Sequence, residues 1–289
     1  MSFWDARFLW QEPMLAAVLG AALCGYLGFF VVLRRIAFMS AALSQVSGLG
    51  VAMAFWVGSF AEVTPHQEGT PWYASPALYA ILFAVLGAVT MALPSRSKRV
   101  SPESIVALAY LASSAGVIMV LNSPRIAQEA HEIGDLLFGN AVVVKHEHLV
   151  QLGIVAAGVL LLHAVLFKDF LFCSFDPETA RAAGYPVRNL DLVLHLSLAL
   201  TVAVTTRALG ALPVFAFLVL PAGAALLLSE RLRPVIWIGV FLAIVSAGLG
   251  YYLSWTFSLP TGPMMVALAS AFWIVAGGKR AIEKLGVRG

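Results

Sequence analysis

Read for where charge is missing, the chain breaks into nine apolar stretches: 13 to 33, 36 to 60, 75 to 93, 104 to 121, 149 to 167, 192 to 206, 211 to 228, 234 to 254 and 262 to 278. None of them contains Asp, Glu, Lys or Arg. A helix of about 20 apolar residues crosses about 30 Å of hydrocarbon, and most of the stretches are that long. The pattern predicts an all-α polytopic membrane protein with about nine transmembrane helices, within a range of eight to ten.

The gaps between the stretches are not equivalent. Taking every second gap as one side gathers Arg34, Arg35, Arg96, Lys98, Arg99, Lys168, Arg181, Arg188, Arg231, Arg233, Lys279, Arg280, Lys284 and Arg288, which are 14 of the 18 basic residues. Short loops rich in Lys and Arg stay in the cytoplasm. The N terminus is therefore expected outside and the C terminus in the cytoplasm, with Arg7, Arg125, Lys145 and Arg207 left for the outer face. The first stretch is longer than a signal-peptide core and follows Asp5 and Glu12 rather than a basic segment, so it reads as a retained span. The longest gaps, about 122 to 148 and 168 to 191, are too short for a second globular domain, and 1–289 reads as a single membrane domain.

Composition agrees with a lipid-embedded chain. Hydrophobic residues make up 61% and charged residues 11%, with a mean hydropathy of +0.90, where a soluble domain is about a quarter charged. The net charge of +3 then reflects topology, and nucleic acid is not an expected partner. Cys24 and Cys173 lie in or beside apolar stretches and read as packing residues rather than a disulfide. No phosphate-cradling GxxxxGK[ST] loop, GxSxG elbow or HExxH pair occurs. The chain reads as a transport subunit rather than an enzyme, with no bound cofactor and its power supplied by another protein.

One gap carries a local structure of its own. In Phe175 to Val187, Asp176 can cap a helix whose first turn holds Pro177 and Glu178, and whose next holds Arg181. Gly184 can supply the left-handed residue that ends it. A helix of two turns gains little from propensity and needs a surface to dock on. Its residues fit either a coupling helix seated in a partner or an amphipathic connector.

Polar residues inside the stretches are few. Ser40, Ser44 and Ser47 recur at helical spacing and form one stripe, flanked by Gln45 and Gly48. Such a stripe suits close packing of helices through small residues, and equally the lining of a passage. His163 and His195 are the ionisable groups well within spans, with Asp191 one turn before His195. Thr201, Thr205 and Thr206 are expected to bond their own preceding carbonyls. Pro221, Pro260 and Pro263 are expected to kink or begin helices. At the outer face His66, His131 and the run Lys145-His146-Glu147-His148 could serve a metal at the entrance, or be an ordinary polar loop.

The chain resembles the membrane permease subunits of the zinc and manganese ABC importers. The resemblance rests on Phe30 to Met39 followed by Ala42-Leu43-Ser44, on Leu136 to Gly139, on the Phe175 to Val187 segment, on Leu218 to Ala222, and on Leu259 to Pro263. It implies a homodimer in a bacterial inner membrane. It also implies a cytoplasmic ATP-binding subunit engaging Asp176, Glu178, Arg181 and Gly184, an extracytoplasmic solute-binding protein, and a transported divalent metal. Family members usually carry an Asp and a His one turn apart in the second span, where this chain has Ala41 and Gln45. Asn140 and Ser258 likewise stand where the family has Asp. A bare divalent ion in a passage of low dielectric needs ligands to replace its water. The neutral residues leave open a passage along Ser40, Ala41, Ser44, Gln45 and Ser47 for a metal, a chelated metal or another solute, and a self-sufficient secondary transporter as a further alternative.

Overall fold

The computed structural model describes residues 7–60, 74–92, 101–124, 126 and 144–286. Among the described residues there are ten helices and no strand: α1 (Arg7–Leu33), α2 (Ala37–Phe60), α3 (Pro76–Ala92), α4 (Pro102–Leu121), α5 (His146–Phe175), α6 (Pro177–Ala182), α7 (Val187–Leu209), α8 (Ala211–Leu228), α9 (Leu232–Phe257) and α10 (Thr261–Gly286). Eight are long and apolar enough to cross a membrane, and the 17-residue α3 is apolar but shorter, rising about 26 Å. The chain is thus an all-α polytopic membrane protein.

Several helices run past the apolar stretches that announce them, while α2, α3 and α8 keep within theirs. The fifth stretch ends at 167, yet α5 continues through Lys168 and Asp169 to Phe175. Charge marks where a helix leaves the hydrocarbon, whereas the backbone ladder ends only where a residue cannot continue it, here before Pro177. By the same logic α7 begins at Val187, ahead of Arg188 and Asp191, and α10 carries Lys279 and Arg280. Pro13 and Pro221 both lie inside continuous helices, α1 and α8.

Four helices form the interior. More than half of the apolar window of α1, α2, α7 and α8 is buried within the protomer, against less than a third for α4, α5, α9 and α10. α1 packs on α9, α8, α5 and α7, while α2 packs on α3, α4, α7 and α8, so α7 and α8 join the two groups. Close approach is bought with small residues: a Cβ on Gly50 would sit 2.4 Å from the Tyr79 carbonyl oxygen of α3. Cys24 and Cys173 are both buried, on α1 and α5.

Candidate functional site

The segment between α5 and α7 is built by its own caps. Asp176 accepts from the Thr179 amide at 3.0 Å and the Thr179 hydroxyl at 2.5 Å, closing the N-terminal turn of α6. These bonds favour the ionised carboxyl and hold Asp176 below the usual carboxylate range. The cap is therefore complete at neutral pH and is lost as acid protonates the carboxylate. At the other end the Gly184 amide donates to the Arg181 carbonyl and the Tyr185 amide to the Ala180 carbonyl, each at 3.0 Å, with Gly184 at φ +86°. That double closure is a Schellman motif.

One residue of α6, Ala180, is buried, and Tyr185 sets its ring edge against Phe172 of α5 at 5.3 Å. Asp176, Pro177, Glu178, Thr179, Arg181 and Ala182 are all exposed. The short helix is thus seated by a single methyl group and presents charged and polar side chains outward.

Beneath α6 lies a junction that the sequence pattern does not announce. Arg34, just past the end of α1, pairs with the Asp191 carboxylate of α7 through Nη1 and donates through Nε to the Ser174 hydroxyl of α5 at 2.7 Å. Ser174 in turn donates to the Phe170 carbonyl. The guanidinium is nearly enclosed, and its Nη2 is buried with no partner. Burial pushes the Arg34 pKa down, and the Asp191 carboxylate acts in the opposite direction. Arg34 reaches this place because α1 ends in a Schellman closure with Arg35 in the left-handed position at φ +59°.

The spacing of Asp191 and His195 suggests a side-chain pair, and the bonds fall differently. His195 Nδ1 donates to the Asp191 main-chain carbonyl at 2.6 Å, with the carboxylate farther away at 3.7 Å. The carboxylate belongs to Arg34. His163 is fully buried among Tyr26, Phe30 and Phe170, with ring centroids 4.6 to 5.6 Å apart, and neither ring nitrogen has a hydrogen-bond partner.

In α2 the Ser40 hydroxyl donates to the Ala37 carbonyl and Ser44 to the Ser40 carbonyl, while the Ser47 hydroxyl is buried without a partner. All three serines are enclosed within the protomer. Gly87 of α3 meets Leu43 and Val46, and Gly116 of α4 meets Leu49. At 100° per residue these contacts place the serine stripe on the side of α2 away from α4, toward α7 and α8. Ala41 is buried, whereas Gln45 is only half-buried and lies on the more open flank with Leu49 and Trp56. Gln45 is thus turned away from the stripe it flanks in sequence.

Thr201, Thr205 and Thr206 do not bond the preceding carbonyls as expected. The Thr201 and Thr206 hydroxyls are buried with no partner, and the Thr205 hydroxyl faces the Cys24 thiol of α1. A helical Thr divides between two rotamers, only some of which serve the backbone, and Thr205 instead turns its methyl toward Gly20 of α1.

At the opposite end of the bundle His146 donates through Nδ1 to Glu12 of α1 at 2.8 Å. Arg207 of α7 donates to Gln151 at 2.8 Å and to His148 Nε2 at 3.0 Å. A guanidinium has no acceptor, so His148 offers that nitrogen's lone pair to Arg207. Glu147 is exposed and adds its charge near the same guanidinium. Among the described residues no group of three or more His, Cys, Asp or Glu is gathered. His66, His131 and Asn140 lie outside the described residues. Ser258, left-handed at φ +53° after α9, lines a cavity of about 370 Å³ with Tyr251, Ser254, Trp255, Leu259 and Thr261.

Comparison with known proteins gives four findings. Residues 7–279 match the model of the ABC 3 transport family. The chain is 29% identical over 267 residues to the manganese transport system membrane protein MntC of Halalkalibacterium halodurans, covering 92% of this chain and 85% of that protein. It is 30% identical over 266 residues to a Haemophilus influenzae protein described as "Probable iron transport system membrane protein", covering 92% of each. Its fold is similar to a chain of PsaBC from Streptococcus pneumoniae in complex with Fab, with a TM-score of 0.80 at 23% identity, over 95% of this chain and 94% of that one.

Proposed function

The chain belongs to the ABC 3 transport family, and from that premise we propose that it is the membrane-embedded permease subunit of an ABC importer for a first-row transition metal. Manganese and iron are the cargoes that its relatives' names carry. Two copies form the conduit, a cytoplasmic ATP-binding subunit drives it, and a solute-binding protein delivers the metal outside. The observation that carries this reading, beside the family match, is α6: a doubly capped helix with one buried residue and its charges outward has the form of something another protein grips.

Glu178→Lys and Arg181→Glu test it. Charge reversal on a contact surface sets like charges against each other and weakens the seating of α6. In vesicles holding the permease with its ATP-binding subunit and solute-binding protein, both variants should insert normally and carry about tenfold less metal per ATP hydrolysed. Wild-type ratios in both would remove α6 from the coupling.

The neutral residues at Ala41 and Gln45 favour a second reading, in which the metal travels in chelated form. A chelator keeps the ion's charge compensated, so the passage need not supply carboxylates. Competing free manganese against a chelated iron in the same vesicles separates the two.

A further inference from the structure

We infer that Arg34 is the positioning residue that hands the movement of α6 to the core of the bundle, a role that rests on the importer reading above. The two legs that carry α6 are the end of α5 and the start of α7. Ser174 stands two residues before the Asp176 cap, and Asp191 stands in the first turns of α7. One guanidinium holds both: Nε to Ser174, Nη1 to Asp191. It comes from a third element, α1, which lies 140 and 157 residues away in sequence.

α1 can spread what it receives, because it packs on α5, α7, α8 and α9, and through Arg34 it ties α5, the leg on the outside of the bundle, to α7, the leg that already packs on α2, α3 and α8. α6 itself offers no such route, since Ala180 is its only buried residue. A push on α6 that moves α5 against α7 must therefore stretch or break a bond to Arg34, or carry α1 along. The planar fork of arginine suits this use, since its donors keep fixed directions and register relative displacement of two acceptors. The buried Nη2 has no partner in this arrangement. It is a donor available to a different acceptor once the legs shift, so that a second arrangement of the junction can be as well bonded as the first.

The test uses the assembled importer in vesicles and reads metal carried per ATP hydrolysed, together with thermal stability in detergent. Arg34→Gln and Asp191→Asn should each lower the ratio about tenfold, the usual worth of a hydrogen bond to a charged group. Arg34→Lys keeps the charge but loses the fork and should fall between. Ser174→Ala frees one leg and should lower the ratio with little change in stability, which covers the case in which the Arg34 variants do not fold. The exchange Arg34→Asp with Asp191→Arg should recover part of what either change alone loses. Wild-type ratios in Arg34→Gln, Asp191→Asn and Ser174→Ala, or a loss that follows thermal stability across the series, would overturn the proposal. Glu178→Lys distinguishes the two levels: if it uncouples while the Arg34 series does not, only this inference fails; if neither uncouples, the coupling role of α6 fails with it; and if the wild-type assembly itself carries no metal, the importer reading fails.

Discussion

At the scale of a residue, Gly184 is where backbone conformation and proposed function meet. A side chain at φ +86° strains any L-residue, and nothing lies within 4 Å of a Cβ placed there, so Gly184→Ala removes conformational freedom without a clash. The left-handed region costs an L-residue about 1 kcal/mol, which shifts the closed turn toward fraying by about fivefold. Gly184→Ala should leave insertion unchanged and reduce metal carried per ATP severalfold, with Gly184→Asn milder because Asn tolerates that region. Unchanged transport in Gly184→Ala would show that the closure of α6 is not needed. The caps at Asp176 and Gly184 were legible because both act on their own neighbours in sequence. Arg34 was not, because nothing local to Ser174 or Asp191 says that a guanidinium from the first helix lies between them. The Asp191 and His195 spacing misled for the same reason: a one-turn interval puts two groups within reach but does not weigh a third that binds one of them better.

At the scale of an element, the apolar stretches located every helix among the described residues that is long and apolar enough to cross a membrane, since lipid leaves a spanning chain no other way to satisfy its backbone. Helix ends were less legible, because a helix such as α5 goes on into water after its hydrophobic reason has ended. The face of α2 was half legible: periodicity joined Ser40, Ser44 and Ser47, but only the contacts of Leu43, Val46 and Leu49 show which neighbour each side meets. The α2–α3 contact can be tested at Gly50, where an added methyl would meet a backbone carbonyl rather than a side chain that can swing aside. Overpacking of this kind costs about 1 to 3 kcal/mol. Gly50→Ala should lower the midpoint of thermal aggregation in detergent. Gly158→Ala on α5, with nothing within 4 Å of the new Cβ, should leave the midpoint unchanged or raise it. Equal midpoints for the two variants would contradict the close α2–α3 approach.

At the scale of the whole molecule, the contacts sort helix ends into two sets. Glu12 meets His146, and Arg207 meets His148 and Gln151, at one end, while Arg34 meets Ser174 and Asp191, and Arg280 meets Glu230, at the other. The second set shares its gaps with 14 of the 18 basic residues, and retention of Lys and Arg in the cytoplasm predicts a bundle with α6 inward. The same orientation is required for α6 to meet a subunit that consumes cytoplasmic ATP, so one labelling experiment bears on both arguments. Cys24 and Cys173 are buried and offer little background to a charged thiol reagent. In intact cells Glu12→Cys should react and Glu178→Cys should not, with Glu178→Cys reacting once the membrane is opened. Reaction of Glu178→Cys from outside would invert the bundle and with it deny α6 any cytoplasmic partner, because a charged segment between two spans cannot be reached from both faces at once.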